Sequence, residues 1–377
     1  MKKIVMCGAD VHENSVTARI AVNKEDPETR QFRYTMQGRQ SLFKYLKFVA
    51  RRHGADRIVV AYEASSLGFG LCDECVDAGI ECYVLAPTKM PQSEEQRKRK
   101  TDKRDAQKIL EQLRGHLLAG NDLAKVWIPD PQTRDDREVV RMRLEIADKL
   151  TQARTQVRTL LKRNKVEKPK DVGKAWTVSD RHWLGRLTEP ESELDLGARV
   201  ALASLLRQIA ALEMEVKELD KAVESLAGTE RYRAAAEALV EQLTGVGVLT
   251  AMVFLTELGD LRRFKNRRKV GAFLGVVPSS NESGENAKDR KGHITRQGPA
   301  RVRKVLCQAA WARVRFDPEE SRVHARIVEK NPKKKKIATV ACMRRLSVRM
   351  WHIALKAQIE AGVYESKDMP KVKTIAA

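Results

Sequence analysis

Aromatic side chains are scarce in this 377-residue sequence, at 5% of positions, so it offers no obvious platform on which single-stranded bases could stack. Apolar runs are short. None approaches the roughly 20 residues that a membrane-spanning helix needs, which excludes a helical membrane protein. The first run, Ile4 to Ala9, stops at Asp10, too early for the apolar core of a secretory signal, so a cytosolic protein is expected. Six cysteines are scattered at 7, 72, 75, 82, 307 and 342 and form no disulfide framework, which fits a reducing compartment. Cys72-Asp-Glu-Cys75, with Cys82 nearby, resembles half of a zinc site, but no second CxxC or histidine pair follows at suitable spacing. Buried or partly exposed thiols are therefore expected there. Acids are outnumbered by bases, 50 to 72, and the formal charge of +22 points to a polyanionic partner.

What is present begins as α/β. Residues 3–11 and 15–22 predict two strands, the second alternating around Val16, Ala18, Ile20 and Val22, and 31–36 a third with Phe32, Tyr34 and Met36. Leu42, Leu46 and Val49 stand at helical spacing within 39–52. A strand over 57–62, a helix over 67–78, a strand over 80–85 and a helix over 102–118 complete the order βββαβαβα. That order suits a mixed sheet with helices on its faces.

From 139 onward long helices take over. Leu202, Leu205, Ile209, Leu212, Val216, Leu219, Val223 and Leu226 alternate three and four apart, the seam of a coiled coil. Such a seam fits either a second chain or an antiparallel hairpin within one chain, and pairing between chains is taken as the expectation. Residues 165–198, interrupted by Pro169 and Pro190, form a connector of unassigned shape. The division is thus 1–130, α/β; 131–230, coiled coil with the connector; 231–360, a mostly α-helical C-terminal domain; and 361–377, a tail.

Cations and glycines concentrate in the last third. Leu243-Thr244-Gly245-Val246-Gly247-Val248 places two glycines between helices, either a seat for phosphate on exposed N–H groups or a tight turn with no ligand. Arg262 to Lys269 is a basic cluster, and Lys333–Lys336 a cationic run that adds non-specific attraction. Arg301, Arg303 and Lys304 fall in the first turns of a helix starting near Pro299, the unfavourable end for the helix dipole. Phosphate contact would explain that placement; a solvated basic face is the alternative.

Four carboxylates carry most of the functional signal. Asp10 closes the first apolar strand and Glu63 closes Ile58-Val59-Val60-Ala61-Tyr62. Asp102 and Asp105 sit three apart beside the basic stretch Arg97-Lys98-Arg99-Lys100. Singly, each has an ordinary role as a turn cap, a surface pair or a helix N-cap. Jointly, two acids on neighbouring strand ends and two on one helix face can converge. Converging carboxylates repel and call for a cation, and oxygen ligands suit Mg²⁺ alongside phosphate oxygens. Phosphodiester chemistry is the first hypothesis.

Gly8-Ala9-Asp10-Val11, Tyr62-Glu63-Ala64-Ser65 and Lys100-Thr101-Asp102-Lys103-Arg104-Asp105-Ala106 resemble the DEDD-type transposases of bacterial insertion sequences, specifically the insertion-sequence one-ten family of bridge-RNA-guided recombinases. Leu243 to Gly247, Phe273 to Pro278 with Asn281-Glu282-Ser283-Gly284, and Arg296 to Arg303 are similar to that family's glycine turn, serine-bearing segment and basic helix. The resemblance implies an N-terminal RuvC-like domain of ribonuclease-H type, a coiled coil, and a C-terminal transposase domain. It implies catalysis by Ser283 as nucleophile with Asp10, Glu63, Asp102 and Asp105 holding Mg²⁺. The acids and serine would come from different protomers of a homo-oligomer, a dimer or tetramer. The partners implied are donor and target DNA duplexes and a guide (bridge) RNA, in the bacterial cytoplasm at the nucleoid. Arg97, Lys98, Arg99, Lys100, Gly245, Gly247, Arg296, Arg301, Arg303 and Lys304 are the expected nucleic-acid contacts. Two departures stand out: Ala9 and His12 in the first motif, and Ser65-Ser66 after Glu63. The rival readings are a junction-resolving metal nuclease that uses the acids without a serine, and a non-catalytic nucleic-acid-binding relative.

Overall fold

Short apolar runs, buried on both faces, form the centre of the sheet. In the computed structural model, which describes residues 2–87, 102–279, 293–330, 332, 335–365 and 367, β1 (Ile4–Val11), β2 (Ser15–Val22), β3 (Glu28–Arg33), β4 (Arg57–Glu63) and β5 (Glu81–Leu85) form one sheet in the order β3-β2-β1-β4-β5. β2 runs antiparallel to β1 and β3, whereas β4 and β5 run parallel to β1. Val5, Cys7 and Ala9 face one side with Leu42, Phe43 and Leu46 of α1 (Met36–His53) and Leu71, Cys72 and Cys75 of α2 (Gly70–Asp77). Ile4, Met6, Val59 and Ala61 face the other, against Ile109, Leu110 and Leu113 of α3 (Asp102–Ala119). The expected order βββαβαβα is therefore the observed one.

One boundary moves. The third strand lies at 28–33 and not at 31–36, because Thr35 accepts a hydrogen bond from Gly38 N and starts α1 at Met36. A satisfied N-cap outweighs the alternation of Tyr34 and Met36, which alone would extend the strand. Cys72 and Cys75 are buried and Cys82 is half-buried, all three as free thiols.

The chain divides into two compact units, Met1–Ile128 and Pro129–Ala377. The second is built on α4 (Pro131–Arg163) and α6 (Leu196–Ala227). These run antiparallel, as the ion pairs Arg143–Asp220 (2.7 Å) and Arg154–Glu213 (2.6 Å) fix their register. Leu202 and Ile209 of the heptad seam are buried with Leu150, Val157 and Leu160 of α4. Part of the seam is thus packed within the chain, in the hairpin arrangement. The connector is folded: Val166, Val172, Trp183, Leu184 and Leu187 cover the far end of the hairpin, and α5 (Val178–Arg186) lies within it.

At the near end, Val140, Leu144 and Val223 join a helical core. That core comprises α7 (Arg233–Gln242), α8 (Val248–Leu258), α9 (Arg267–Phe273), α10 (Ala300–Phe316), α11 (Pro318–Lys330) and α12 (Lys335–Glu360). Every residue of α8 from Ala251 to Leu258 is buried. Its last carbonyls cannot reach water. Arg137 donates to the Thr256 and Glu257 carbonyls, Arg263 donates to that of Leu258, and Arg141 holds the Glu257 carboxylate at 2.7 and 3.0 Å. Among the described residues no helix is long and apolar enough to cross a membrane.

Asp130 starts α4, accepting from Thr133 N (2.9 Å) and Thr133 Oγ1 (2.6 Å) and pairing with Arg231 at 3.0 Å. Partial burial opposes its ionisation, yet these donors win and hold its pKa at about 2. A carboxylate depressed in the folded state stabilises above its unfolded pKa and loses that contribution as pH falls through its folded value. Asp130→Ala should therefore lower stability by about 1 kcal/mol at neutral pH. In urea titrations at a series of pH values, the difference from the parent protein should stay constant above the ordinary carboxylate pKa and shrink towards pH 2.

Candidate active site

Gly8 decides where the acids stand. A Cβ at this position would collide with the Ala106 carbonyl and the Leu110 amide, because the backbone of α3 lies directly on β1. Residues 4, 6, 8 and 10 of β1 face α3, and so do 59, 61 and 63 of β4, since a strand alternates its faces. Asp10 and Glu63 therefore emerge on the α3 side, one position beyond the register pair Ala9–Tyr62. Asp102 and Asp105 occupy the first turn of α3, where the helix dipole favours negative charge.

The structure brings Asp10 and Asp102 together through a residue the sequence reading left out. His12 Nε2 lies 3.1 Å from Asp10 Oδ2 and 3.6 Å from Asp102 Oδ1. Ligand atoms of Asp10, His12 and Asp102 all lie within 4.8 Å of one another. Asp105 Oδ1 accepts from Lys108 Nζ at 2.9 Å, while its Oδ2 is buried with no partner among the described residues. Glu63 is half-buried on the same face and stands outside the three-residue cluster. His12 follows Asp10 by two, the strand period, so its side chain emerges beside the acid; that spacing was the signal available.

Burial raises the Asp10 pKa above the ordinary carboxylate range. His12 opposes the rise by its charge and hydrogen bond, and Asp102 and Asp105 add to it by repulsion. A cation would relieve that repulsion, and an unpartnered buried carboxylate oxygen is a ready ligand. The donor set fits a divalent metal: carboxylate oxygens suit Mg²⁺ or Mn²⁺, and an imidazole nitrogen also admits softer transition ions. Beside the cluster, the β1–β2 turn and the loop after β4 enclose an open depression of about 610 Å³, lined by His12, Asn14, Ser65, Ser66, Leu67 and Asp102 among others.

The other expected site residues belong to the second unit or lie outside the described residues. Ser283, Arg97, Lys98, Arg99 and Lys100 are outside them. Gly245 adopts φ +80°, and a Cβ there would come within 2.7 Å of Ala312 Cβ, so α10 packs on this turn. Gly247 caps the start of α8 with open space around it. Arg303 donates to the carbonyls of Leu274, Gln297 and Gly298 at 3.0–3.1 Å, a structural use that sequence reasoning missed. Lys304 pairs with Asp148, Arg301 is exposed, and Arg296 is exposed at φ +53°.

Around the serine-bearing segment the described residues form a stem. Ser279 N donates to the His293 carbonyl (2.9 Å), Thr295 N to Val277 (2.9 Å) and Arg296 N to Gly275 (3.2 Å). Gly275 and Gly298, both at positive φ, let these two backbones touch: a Cβ on either would overlap a carbonyl opposite.

An acid cluster on a mixed sheet, followed by a helical unit rich in arginine, defines a class that comparison makes definite. Residues 7–165 match the model of a transposase domain of the DEDD IS110 type, and residues 237–325 match that of the transposase IS116/IS110/IS902 family. The y4qE protein of Sinorhizobium fredii, which carries a transposase name, is 29% identical over 330 residues, covering 80% of this chain and 77% of that relative. The transposase for insertion sequence element IS1533 of Leptospira borgpetersenii is 28% identical over 313 residues, covering 82% and 86%. The transposase for insertion sequence element IS1111A of Coxiella burnetii is 34% identical over a 76-residue stretch, 20% of each chain. The chain is a DNA transposase. Over residues 7–165 and 237–325 it is similar to the IS110/IS116 family.

Gly8→Ala tests the approach that builds the cluster. Pushing α3 off β1 should destabilise the protein by about 1–3 kcal/mol, as overpacking does. Calorimetry with Mn²⁺ should show weaker binding in this variant. A Gly8→Ala protein with parent stability and parent Mn²⁺ affinity would refute the close approach.

Proposed function

We propose that this transposase cuts and rejoins DNA with Ser283 as nucleophile and a divalent ion, Mg²⁺, held by Asp10, Glu63, Asp102 and Asp105, under guidance of a bridge RNA. The observation that carries the reading is the meeting of Asp10 and Asp102 through His12, with the unpartnered oxygen of Asp105 on the same helix face. The sheet order β3-β2-β1-β4-β5, with only β2 antiparallel to its neighbours, supports assigning the N-terminal unit to the RuvC-like, ribonuclease-H-type folds.

In this reading the Ser283 hydroxyl attacks the phosphorus. A serine Oγ–P bond forms, one P–O ester bond breaks, and the departing oxygen takes up a proton. The cut end is kept as a phosphoserine until a second strand's hydroxyl displaces the serine, so bond energy is conserved for rejoining. A bound divalent ion supplies charge that stabilises the attacking and leaving oxygens. Asp10 and His12, 3.1 Å apart, are positioned together at that point. Assembly of two or four copies would let the acids of one protomer serve the serine of another. The cation excess supports contact with DNA and RNA backbones, and guide pairing would leave the protein to read shape.

Denaturing gels of protein mixed with labelled substrate test the chemistry. The parent should form a covalent protein–DNA adduct, Ser283→Ala should form none, and Asp10→Asn should lose strand cleavage on the order of 10³-fold or more. Cleavage that survives Ser283→Ala unchanged would instead favour a metal nuclease. Sequencing RNA that co-purifies with the protein tests the guide separately.

A further inference from the structure

Trp311 of α10 is 51% exposed, whereas Trp183 and Trp351 are buried and Trp127 and Trp176 half-buried. Its ring is fixed in place by His324 of α11, with ring centroids 5.6 Å apart. It also stands in register with charge. Arg301, Lys304, Gln308, Trp311 and Arg315 are spaced three and four apart and all exposed, while Val302, Val305, Leu306, Ala309 and Ala310 on the other side of α10 are buried. The exposed stripe spans about 21 Å at helical rise. Lys304 is paired with Asp148, but Arg301 and Arg315 make no ion pair among the described residues. Phe316, 65% exposed, lies under the Arg315 guanidinium at 5.1 Å.

We infer that this stripe of α10 is a seat for an unpaired stretch of DNA strand, with a base stacked on Trp311 and phosphates on Arg301 and Arg315. A duplex keeps its base faces inside, so an exposed indole between cations can meet a π-face only where a strand is open. Cutting and rejoining strands makes such open DNA. The scarcity of aromatics in the sequence argues against a broad platform; this one needs a single pre-positioned ring, because stacking is strong per base and indifferent to sequence. The inference rests on the transposase class and requires neither Ser283 nor the metal.

Fluorescence anisotropy with the full chain, in chelator, tests it with four labelled probes: a thymidine dodecamer, its abasic counterpart, a duplex of equal length and a uridine dodecamer of RNA. The parent should bind the thymidine strand about tenfold or more tighter than the abasic one. Trp311→Ala should erase that difference and leave duplex and abasic binding unchanged, and Trp311→Phe should keep most of it. Arg301→Gln with Arg315→Gln should weaken both strands and lower the salt slope by about 1–2. A base preference that survives Trp311→Ala, or an equal loss on the abasic strand, would overturn the assignment. So would Trp311-dependent binding confined to a uridine dodecamer of RNA, which would give the ring to a different partner.

Discussion

The contact between the backbone of α3 and Gly8 of β1 is the constraint on which the N-terminal unit turns. A helix normally rides above a sheet on the side chains of both. Here the missing Cβ lets α3 settle onto the strand itself. Two consequences follow. Ile109, Leu110 and Leu113 are buried against the sheet face. The first turn of α3 also comes down beside the end of β1, so Asp102 and Asp105 meet Asp10 and do not pass above it. A longer residue at position 8 would raise the helix and open the cluster. The repulsion that results is real: Asp102 and Asp105 both push the Asp10 pKa upwards, after burial itself. Such an arrangement is favourable only when something cationic shares it, through His12 or through a metal.

The second unit depends on arginine used in a different way. Arg137 and Arg313 are buried, 9% and 3% exposed, and Arg263 is sandwiched against Phe264 and Phe273 at 4.2 and 4.4 Å. Burial, with Arg137 nearby, lowers the Arg263 pKa to about 10, which still leaves it charged at neutral pH. Arg313 pairs with Asp317 one turn on, whereas Arg137 and Arg263 satisfy the carbonyls at the end of α8, where unpaired carbonyls would be costly. Arg303 serves likewise across the stem. The formal charge of +22 therefore overstates the cations available to a nucleic acid, and composition cannot sort the structural arginines from the free ones. Exposure and partners do, which is why Arg301 and Arg315 separate from Arg303.

Local pattern made the sheet legible. Alternation in 15–22 and the short apolar runs of 4–11 and 57–63, buried on both faces, set strand identity, and the position of Asp10 and Glu63 at the run ends sets where they emerge. Spacing on α3 likewise paired Asp102 with Asp105. What stayed hidden depended on tertiary contact. His12 reads as an exposed turn residue until the first turn of α3 is beside it. The heptad seam states that Leu202 and Ile209 need a partner, not where the partner is; the Arg143–Asp220 pair supplies the register. The connector 165–198 looks polar because its apolar residues, Val172, Trp183, Leu184 and Leu187, are spread among charges, yet they suffice to cover one end of the hairpin.

The same device recurs at both places where chemistry is proposed. Gly8 permits backbone-to-helix contact beside the acids, and Gly275 and Gly298 permit backbone-to-backbone contact at the base of the segment that carries Ser283. In each case the contact fixes the ends of a functional element by main-chain geometry, with little left to side-chain rotamers. Main-chain hydrogen bonds from Thr295 and Arg296, and three carbonyls gathered by Arg303, lock the stem. Catalysis by positioning needs accurate geometry, a misplacement of about 1 Å costing on the order of 10²-fold in rate. A glycine-mediated approach meets that need cheaply, since it adds no side chain whose freedom must be lost, and it leaves the facing surface open for a strand. Substituting Gly8 would push α3 from β1, and substituting Gly275 or Gly298 would part the two backbones of the stem.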